Sequence, residues 1–393
     1  MMNVVLIFAV YAITSSTLAV SVLLLTFLLP QIFFSFLGGI IADAKNKRKI
    51  LIVGNIIRAV CVLGLFFFHG NLGIIYLLAL IIAITTQFYV PAETPMIPYL
   101  VKEKYLLAAN AMFGVCLFGS ILIGYVLAGP LLNILGNSGI FLFIGSLFAI
   151  ACVCVALMPN VTPSIRKFRT EPTMLKNIAH LYKLVWEEFD QCIVMIKDKP
   201  HVAVSLLFLA LPQVITYLLA TLVPDFATTT LHIKTQSISL FLFAPAAFGT
   251  IFAAVVIGSL LTKVSKDKIM NFGIFLSAFA LFALTVIDKQ HAISLLPYTV
   301  IVAFLAGISN SLIFVPSQTV VLTEVKDEFR SKIFGLLFAV VGVMALVPIL
   351  LAGVFADVVG TKTVLVTIAA LLCVLGIVKL SLPVAFKRGS KQV

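Results

Sequence analysis

Long apolar segments recur along this chain, and they constrain its fold more than any other feature. A membrane-spanning helix needs about 20 mostly apolar residues, and eleven segments of the 393-residue sequence meet that requirement. Only 11% of the residues are charged, whereas a soluble domain carries about 25%. The sequence therefore predicts an all-α polytopic membrane protein. The segments lie near residues 18–42, 51–69, 72–91, 106–132, 139–158, 202–224, 237–261, 269–287, 292–316, 331–355 and 361–382.

A shorter apolar segment, residues 3–13, precedes these eleven. As a helix it would reach about 16 Å, roughly half of a hydrocarbon core about 30 Å thick. It has no basic region before it and no credible cleavage site, so it does not resemble a signal peptide. We expect it to be a first span that is partly missing, which brings the number of spans to twelve.

The positions of the basic residues predict the orientation of the chain. With the short segment counted as span 1, 22 of the 27 Lys and Arg residues follow even-numbered spans or lie in the C-terminal tail. The loops after odd-numbered spans contain only Lys234, Lys289 and Lys362. Because basic residues remain in the cytoplasm, the even-numbered loops and the C-terminus are predicted to be cytoplasmic, in a cell membrane. The net charge of +12 thus reflects topology, and no basic domain that could bind nucleic acid is expected.

Two sequence matches indicate an internal repeat. Residues 90–94 (VPAET) recur as residues 315–319 (VPSQT), and residues 127–129 (LAG) followed by Gly136 recur as residues 351–353 followed by Gly360. The offsets are 225 and 224 residues, so the two matches agree. Parallel repeats of this kind build transporters with a substrate site between the halves.

The repeat predicts three parts of the chain. Residues 1–158 would form an N-terminal half of six spans, and residues 201–393 a C-terminal half with a short basic tail. Residues 159–200 would connect them on the cytoplasmic side. From Pro172 this linker has the periodicity of an amphipathic helix lying along the membrane surface, with apolar residues Leu175, Ile178, Tyr182, Val185, Phe189, Ile193 and Ile196.

The residues between spans 2 and 3 carry a resemblance to a known family. Gly39-x-x-x-Asp43 followed by Lys47-Arg48-Lys49 resembles the loop signature of the major facilitator superfamily. Residues 91–111 and 325–335 are similar to the subgroup that includes the enterobactin exporter and macrolide efflux proteins. The resemblance implies a bundle of two six-helix halves and alternating access to a central cavity, and we expect a monomer that binds a small-molecule substrate.

This sequence departs from the family pattern at three places. Ala44 and Asn46 stand where the loop signature has a cation and a glycine, and Gly124-Tyr125 stands where exporters of the family often have Gly-Pro. The third departure is the short first span, in which such exporters can carry a coupling acid.

A cytoplasmic gate is the first candidate site. Asp43 would lie at the inner end of span 2, Arg58 about two turns into span 3, and Glu93 at the inner end of span 4. An Arg in hydrocarbon needs a partner or a route to the headgroups. We expect either a latch that stabilises one access state or a permanent structural pair. The gate residues are Gly39, Asp43, Lys47, Arg48, Arg58 and Glu93.

A central cavity is the second candidate site. The resemblance implies that spans 1, 4, 7 and 10 line it, and polar residues inside a membrane usually face protein or water. A role in helix–helix hydrogen bonding is the alternative for each of them. The cavity candidates are Tyr11, Thr86, Gln87, Gln213, Thr216, Tyr217 and Asn310.

The remaining chemistry of the sequence is sparse. The six Cys and five His show no metal-ligand or catalytic spacing, so we expect no metal site, no cofactor and no enzyme. No Asp or Glu lies in the middle of a span, although a buried carboxylate would be the natural proton carrier. Proton coupling could then use Glu93 or Asp225 near the ends of spans, or a residue missing from span 1. The third alternative is that the chain has no proton coupling.

These features favour secondary active efflux of a bulky amphipathic or hydrophobic organic compound, of the drug or siderophore type, through a neutral cavity. Two alternatives stay open. One is a lysophospholipid flippase on the same fold, and the other is an inactive truncated relic.

Overall fold

The structure, a computed structural model, describes residues 1–93, 96–102, 105–159, 200–259, 264–286, 296–325 and 327–381. The regular structure of these residues is entirely helical. The predicted fold class, an all-α polytopic membrane bundle, is therefore confirmed. The predicted amphipathic helix of the linker falls almost entirely on residues 160–199, which lie outside the described residues.

The N-terminal half begins with four separate helices: α1 (Met2–Thr14), α2 (Thr17–Ala44), α3 (Lys47–Phe68) and α4 (Leu72–Glu93). A single turn, Ile97–Leu100, precedes the long segment Leu106–Ala156, in which Gly136 leaves the helical conformation with φ 71° and ψ 178°. Residues 106–135 are α5 here, and residues 137–156 are α6.

The C-terminal half is described from residue 200 onward. α7 (Pro200–Asp225) continues into a π-helical turn at Phe226–Thr230, and α8 (Ala244–Ser259) follows a π-helical turn at Ser239–Phe243. The last helices are α9 (Lys266–Thr285), α10 (Leu296–Glu324), α11 (Asp327–Val359) and α12 (Thr361–Ser381).

Ten helical stretches of the described residues are long and apolar enough to cross a membrane. Nine correspond to single predicted spans, and the tenth, Gly119–Ala156, contains parts of two. The predicted spans near 106–132 and 139–158 are separated at Gly136, where a single residue makes the turn. Glycine tolerates the positive φ of that turn, which other residues rarely adopt. The short segment predicted at 3–13 is α1.

Helix pairings recur between the two halves. In the N-terminal half, α4 packs on α2 and α3, and α3 packs on α6. In the C-terminal half, α10 packs on α8 and α9, and α9 packs on α12. Each pairing is repeated with its helix numbers raised by six, as expected of duplicated halves.

Two seams join the halves. α2 packs along α11, and α5 packs against the residues that lead into α8. α1 lies at the centre and contacts both halves, and most of its side chains are buried in a continuous apolar core. α1 thus contacts α2 and α5 of its own half and α7 of the other half.

Candidate functional site

One end of the bundle is closed by hydrogen bonds around Asp225. The Tyr11 hydroxyl of α1 donates to Asp225 Oδ1 over 2.9 Å, and the hydroxyls of Tyr11 and Thr228 are 3.0 Å apart. The Thr361 hydroxyl donates to Asp225 Oδ2. Tyr11 belongs to the N-terminal half and the other three residues to the C-terminal half, so this cluster ties the halves together. We call this the closed end, defined by residues 11–18, 225–238 and 357–361.

Asp357, in the last turn of α11, makes a second tie at the closed end. Its carboxylate accepts hydrogen bonds from the backbone N–H groups of Thr17 and Leu18, over 2.8 and 3.2 Å. The hydroxyls of Ser16 and Thr17 also donate to it, the first over 2.6 Å. The first N–H groups of a helix have no partner within the helix. A carboxylate from the opposite half therefore caps the start of α2.

Glycine allows the close approach of the helices at each seam. A Cβ on Gly129 of α5 would lie 1.8 Å from the carbonyl oxygen of Gln236, and one on Gly353 of α11 would lie 2.2 Å from Ser21 Oγ. These glycines are the third residues of the two repeated LAG segments. The repeat that the sequence revealed thus marks the contact points between the halves.

A serine reinforces each seam opposite its glycine. Ser21 Oγ of α2 donates to the carbonyl oxygen of Ile349 in α11 over 2.9 Å. Ser239, which leads into α8, accepts a hydrogen bond from the backbone N–H of Gly129 over 3.1 Å. Both serines are fully buried. The two seams therefore use the same kind of contact, a serine hydroxyl on the backbone of the opposite half.

The opposite ends of the seam helices are more open. A Cβ on Gly39, near the end of α2, or on Gly119 of α5 would meet no atom within 4 Å. The described hydrogen bonds between the halves involve Tyr11 of α1, residues 16–31 at the start and middle of α2, and Gly129 near the end of α5. Contact between the halves is thus concentrated toward the closed end.

α7 and α10 present a polar surface without charge. Thr216 and Tyr217 follow Gln213 by three and four residues, so each lies on the same face of α7 as Gln213. Gln213 and Thr216 are exposed. Asn310 Nδ2 of α10 donates to Thr216 Oγ1 over 3.3 Å, and the Thr216 hydroxyl donates to the Pro212 carbonyl. The structure thus brings together four of the predicted cavity residues.

Aromatic rings lie beside this polar surface. Tyr125 of α5 lies near Tyr217 of α7, and its ring centroid is 5.9 Å from that of Phe243. Phe243 stacks in turn on Phe8 of α1, at 6.1 Å and an interplanar angle of 2°. Tyr125 remains 36% exposed. It is a candidate cavity residue that the sequence marked only as part of the Gly124-Tyr125 pair.

The comparisons with known proteins agree with this architecture. The family model described as Major Facilitator Superfamily matches residues 1–290 and 204–392. The chain belongs to the Major Facilitator Superfamily. An uncharacterized MFS-type transporter, YkuC of Bacillus subtilis (strain 168), is 33% identical over 89 residues, which are 22% of this chain and 21% of that protein. The chain thus matches only about a fifth of the length of that curated relative.

Solved structures of other transporters share the fold. An auto inhibited POT family peptide transporter has a TM-score of 0.72 at 14% identity, covering 100% of this chain and 94% of that chain. The nucleoside transporter NupG has a TM-score of 0.70 at 12% identity, with 97% of each chain covered. At these identities the likeness concerns the fold alone.

The superfamily loop between α2 and α3 lies at the end opposite the closed end. Asn46 caps α3, since its Oδ1 accepts a hydrogen bond from Lys49 N over 3.2 Å. Lys47 is buried, with 8% exposure, and the Arg48 guanidinium donates to the Ala156 carbonyl at the end of α6. The side chain of Asp43 lies outside the described residues, so the predicted pairing with Arg58 stays a prediction.

Arg58 has aromatic and hydroxyl partners inside the N-terminal half. Its guanidinium lies 4.0 Å from the ring centroid of Tyr89 and 5.8 Å from that of Phe148, and it donates to Thr86 Oγ1 over 3.3 Å. Glu93, the last residue of α4, interacts electrostatically with it. Thr86, a predicted cavity residue, therefore contacts the predicted gate residue Arg58 in this conformation.

Two further predicted cavity residues lie away from the polar surface of α7. Tyr11 is 6% exposed and belongs to the closed end. Gln87 of α4 donates to the Ala83 carbonyl of its own helix over 3.4 Å. Among the described residues, no group of three or more His, Cys, Asp and Glu side chains converges as a metal site would require.

The role of Asp357 was not predicted from the sequence. An acid in the last turn of a span looks like an ordinary interfacial charge, and its partners are 339 to 341 residues away in the chain. The sequence feature that relates to this residue is the internal repeat, which aligns Asp357 with Asn133.

Proposed function

We propose that this chain is a secondary active transporter, and not an enzyme, that exports bulky amphipathic organic compounds of low net charge by alternating access. The observation that carries the proposal is the uncharged polar surface of Gln213, Thr216 and Asn310 beside the Tyr125 and Tyr217 rings. Hydrogen-bonding groups among aromatic side chains are typical of sites that bind organic ligands. Membership of the superfamily supports transport, and the site supports the substrate class.

The five side chains of this surface include no charged group that could form an ion pair with a charged substrate. A substrate with a strong net charge would lose its hydration without gaining an ion pair from these five side chains, which is costly. An aromatic or amphipathic compound would instead bury apolar area on the rings and use the amides of Gln213 and Asn310 for its polar groups. Drugs and siderophores of low charge fit this description.

The distribution of cations supports an orientation with the closed end outside the cell and the C-terminus in the cytoplasm. The structure would then represent a state closed to the outside, with its space near Gly39 and Gly119 facing the cytoplasm. A fluorescent protein fused to the C-terminus should fluoresce, and alkaline phosphatase fused there should be inactive. Active phosphatase at the C-terminus would reverse the orientation.

The coupling ion is proposed to be the proton. Among the described residues near the halves' junction, Asp225 lies in the closed end, and Glu93 ends α4 near Arg58. Substrate accumulation at two external pH values tests this. Efflux that does not depend on the proton gradient would exclude proton coupling and leave the exporter proposal intact.

The decisive experiment measures accumulation of a panel of fluorescent amphipathic dyes, hydrophobic drugs and siderophores in cells with and without the protein. Thr216→Val should raise the concentration for half-maximal efflux because it removes a hydroxyl on the polar surface. Thr367→Val is the matched control, since Thr367 is exposed on α12 and donates only to Thr363 of its own helix. Equal behaviour of both variants would contradict the site.

A fluorescent lysophospholipid belongs in the same panel. Movement of that lipid between leaflets, without efflux of the other compounds, would replace the exporter by a lysophospholipid flippase. No transport of any member by abundant, monodisperse protein would favour an inactive relic.

A further inference from the structure

The two seams differ at one position. Asp357 follows the LAG segment of α11 by four residues, and Asn133 follows the LAG segment of α5 by four residues. Both seams otherwise combine the glycine of a repeated LAG segment with a buried serine of the opposite half. Asp357 spans its seam and caps α2, whereas Asn133 is exposed. Only the α2–α11 seam therefore has a carboxylate at this position.

The contacts of Asp357 favour a permanently ionised carboxylate. Its four contacts come from the N–H groups of Thr17 and Leu18 and the hydroxyls of Ser16 and Thr17. Because both N–H groups can only donate, a proton on the carboxyl group would compete with them. The start of α2 also carries partial positive charge, which stabilises an anion.

Charged groups around Asp357 are few among the described residues. Of the elements packed here, α2 offers only neutral donors, α1 places Tyr11 near Asp357, and α7 contributes Asp225 beyond it. Lys362 follows Thr361 at the start of α12, and His232 and Lys234 lie in the connection between α7 and α8. Asp357 thus acts mainly through the start of α2.

We propose that Asp357 is a positioning residue for the transport cycle, which holds α2 against α11 and makes the closed end the resting state. The inference rests on the alternating access of the proposed function. Opening of the closed end must break the four hydrogen bonds together and return the carboxylate to water. Since hydrogen bonds to a charged group are stronger than those between neutral groups, this single residue biases the equilibrium between the two access states.

The proposal predicts an asymmetric response to neutral substitutions. Asp357→Asn keeps the size of the side chain, but its amide group cannot accept four hydrogen bonds. Asp357→Glu keeps the charge and should restore part of the closure. Asn133→Ala is the matched control in the other seam, and Asp225→Asn separates the contribution of the second carboxylate of the closed end.

Spin-label distances in the full chain, reconstituted in lipid nanodiscs without substrate, test the proposal. Labels at Gly70 and Lys234, in a cysteine-free background, report the separation of the halves at the closed end. Both positions are exposed and make no contact in the ties described above. A second pair at Gly70 and Asn137 lies within the N-terminal half and reports whether that half remains intact.

In the otherwise unmodified chain we expect one short Gly70–Lys234 distance. Asp357→Asn should increase the population at longer distance by about tenfold, with the Gly70–Asn137 distance unchanged. Asp357→Glu should lie between the two, and Asn133→Ala should match the unmodified chain.

Two results would overturn the proposal: an unchanged distance distribution in Asp357→Asn, or an equal shift in Asn133→Ala. If Asp357→Asn does not fold, Asp357→Glu decides, because a Gly70–Lys234 distance distribution identical to that of the unmodified chain would contradict the proposal. The measurement needs no transported compound. A shift in distances without any transport would therefore refute the proposed function and leave the role of Asp357 standing.

Discussion

Gly129 of α5 and Gly353 of α11 occupy equivalent positions in the two seams, 224 residues apart, and each lies against an atom of the opposite half. Gly129 faces the Gln236 backbone and Gly353 faces the Ser21 side chain. Backbone cannot move aside as a side chain can. The α5–α8 seam is therefore the less tolerant of added volume.

Gly129→Ala should weaken the closed end. The new methyl group would overlap the Gln236 carbonyl, and overpacking of this kind costs about 1–3 kcal/mol. We expect a longer Gly70–Lys234 distance by spin labelling and a lower transport rate. Gly119→Ala is the matched control on the same helix, because nothing lies within 4 Å of its Cβ position. Equal Gly70–Lys234 distances in Gly129→Ala and Gly119→Ala would show that the seam accommodates the new methyl group without opening of the closed end.

Tyr11→Phe should destabilise the closed end by removing one hydrogen bond to the Asp225 carboxylate. Hydrogen bonds to charged groups contribute about 1.5–3 kcal/mol. The effect should largely disappear when Asp225 is already Asn, which a double-mutant cycle of the melting temperatures can measure. Tyr298→Phe is the control, since that hydroxyl donates to the Ala283 carbonyl within the C-terminal half. Additive effects of the Tyr11 and Asp225 changes would argue against their coupling.

Asn310→Ala should impair substrate binding more than stability. The amide projects from α10 to Thr216 and is only partly buried, so its removal leaves no large cavity. We expect KM to rise about tenfold with a small change in the maximal rate, which is the signature of lost ground-state binding. Initial efflux rates of a transported compound, measured over a range of concentrations, check this. A lower maximal rate at constant KM would place Asn310 in the conformational change instead.

Arg58→Lys should lower the melting temperature although it keeps the charge. A lysine cannot both cover the Tyr89 ring and donate to Thr86 in the planar geometry of a guanidinium, and cation–π contacts that are shielded from water contribute about 2 kcal/mol. Tyr89→Phe keeps the ring and should have a smaller effect than Tyr89→Leu. If Tyr89→Phe and Tyr89→Leu have the same melting temperature, the contact between Arg58 and the Tyr89 ring contributes little to stability.

Asp43→Asn should abolish transport while leaving the abundance of the protein in the membrane unchanged, if the loop acts as a latch. The neutral amide would lose the attraction to Arg58 that the latch hypothesis requires. Immunoblots of isolated membranes measure abundance, and efflux measures activity. Normal efflux by this variant would leave only the structural pairing as an explanation for the two charges.

Patterns that repeat along the chain could be predicted from the sequence. Membrane spans follow from segments of about 20 apolar residues because the bilayer sets their length. The LAG repeat pointed to Gly129 and Gly353 before their contacts were known, and Gly136 and Gly360, each with positive φ, mark equivalent turns after them. The polar residues within the apolar spans could also be identified from the sequence, and four of them form the polar surface of α7 and α10.

Pairings between distant residues could be decided only by the tertiary structure. The sequence placed Tyr11 in a cavity and left Asp357 unremarked, yet both close one end of the bundle through partners more than 200 residues away. The composition of a span determines whether it prefers lipid to water. Each residue contributes to that preference through its own side chain, without reference to the other helices. Which helix ends meet depends instead on how the two halves pack, and only that packing put the Asp357 carboxylate on the free N–H groups of α2.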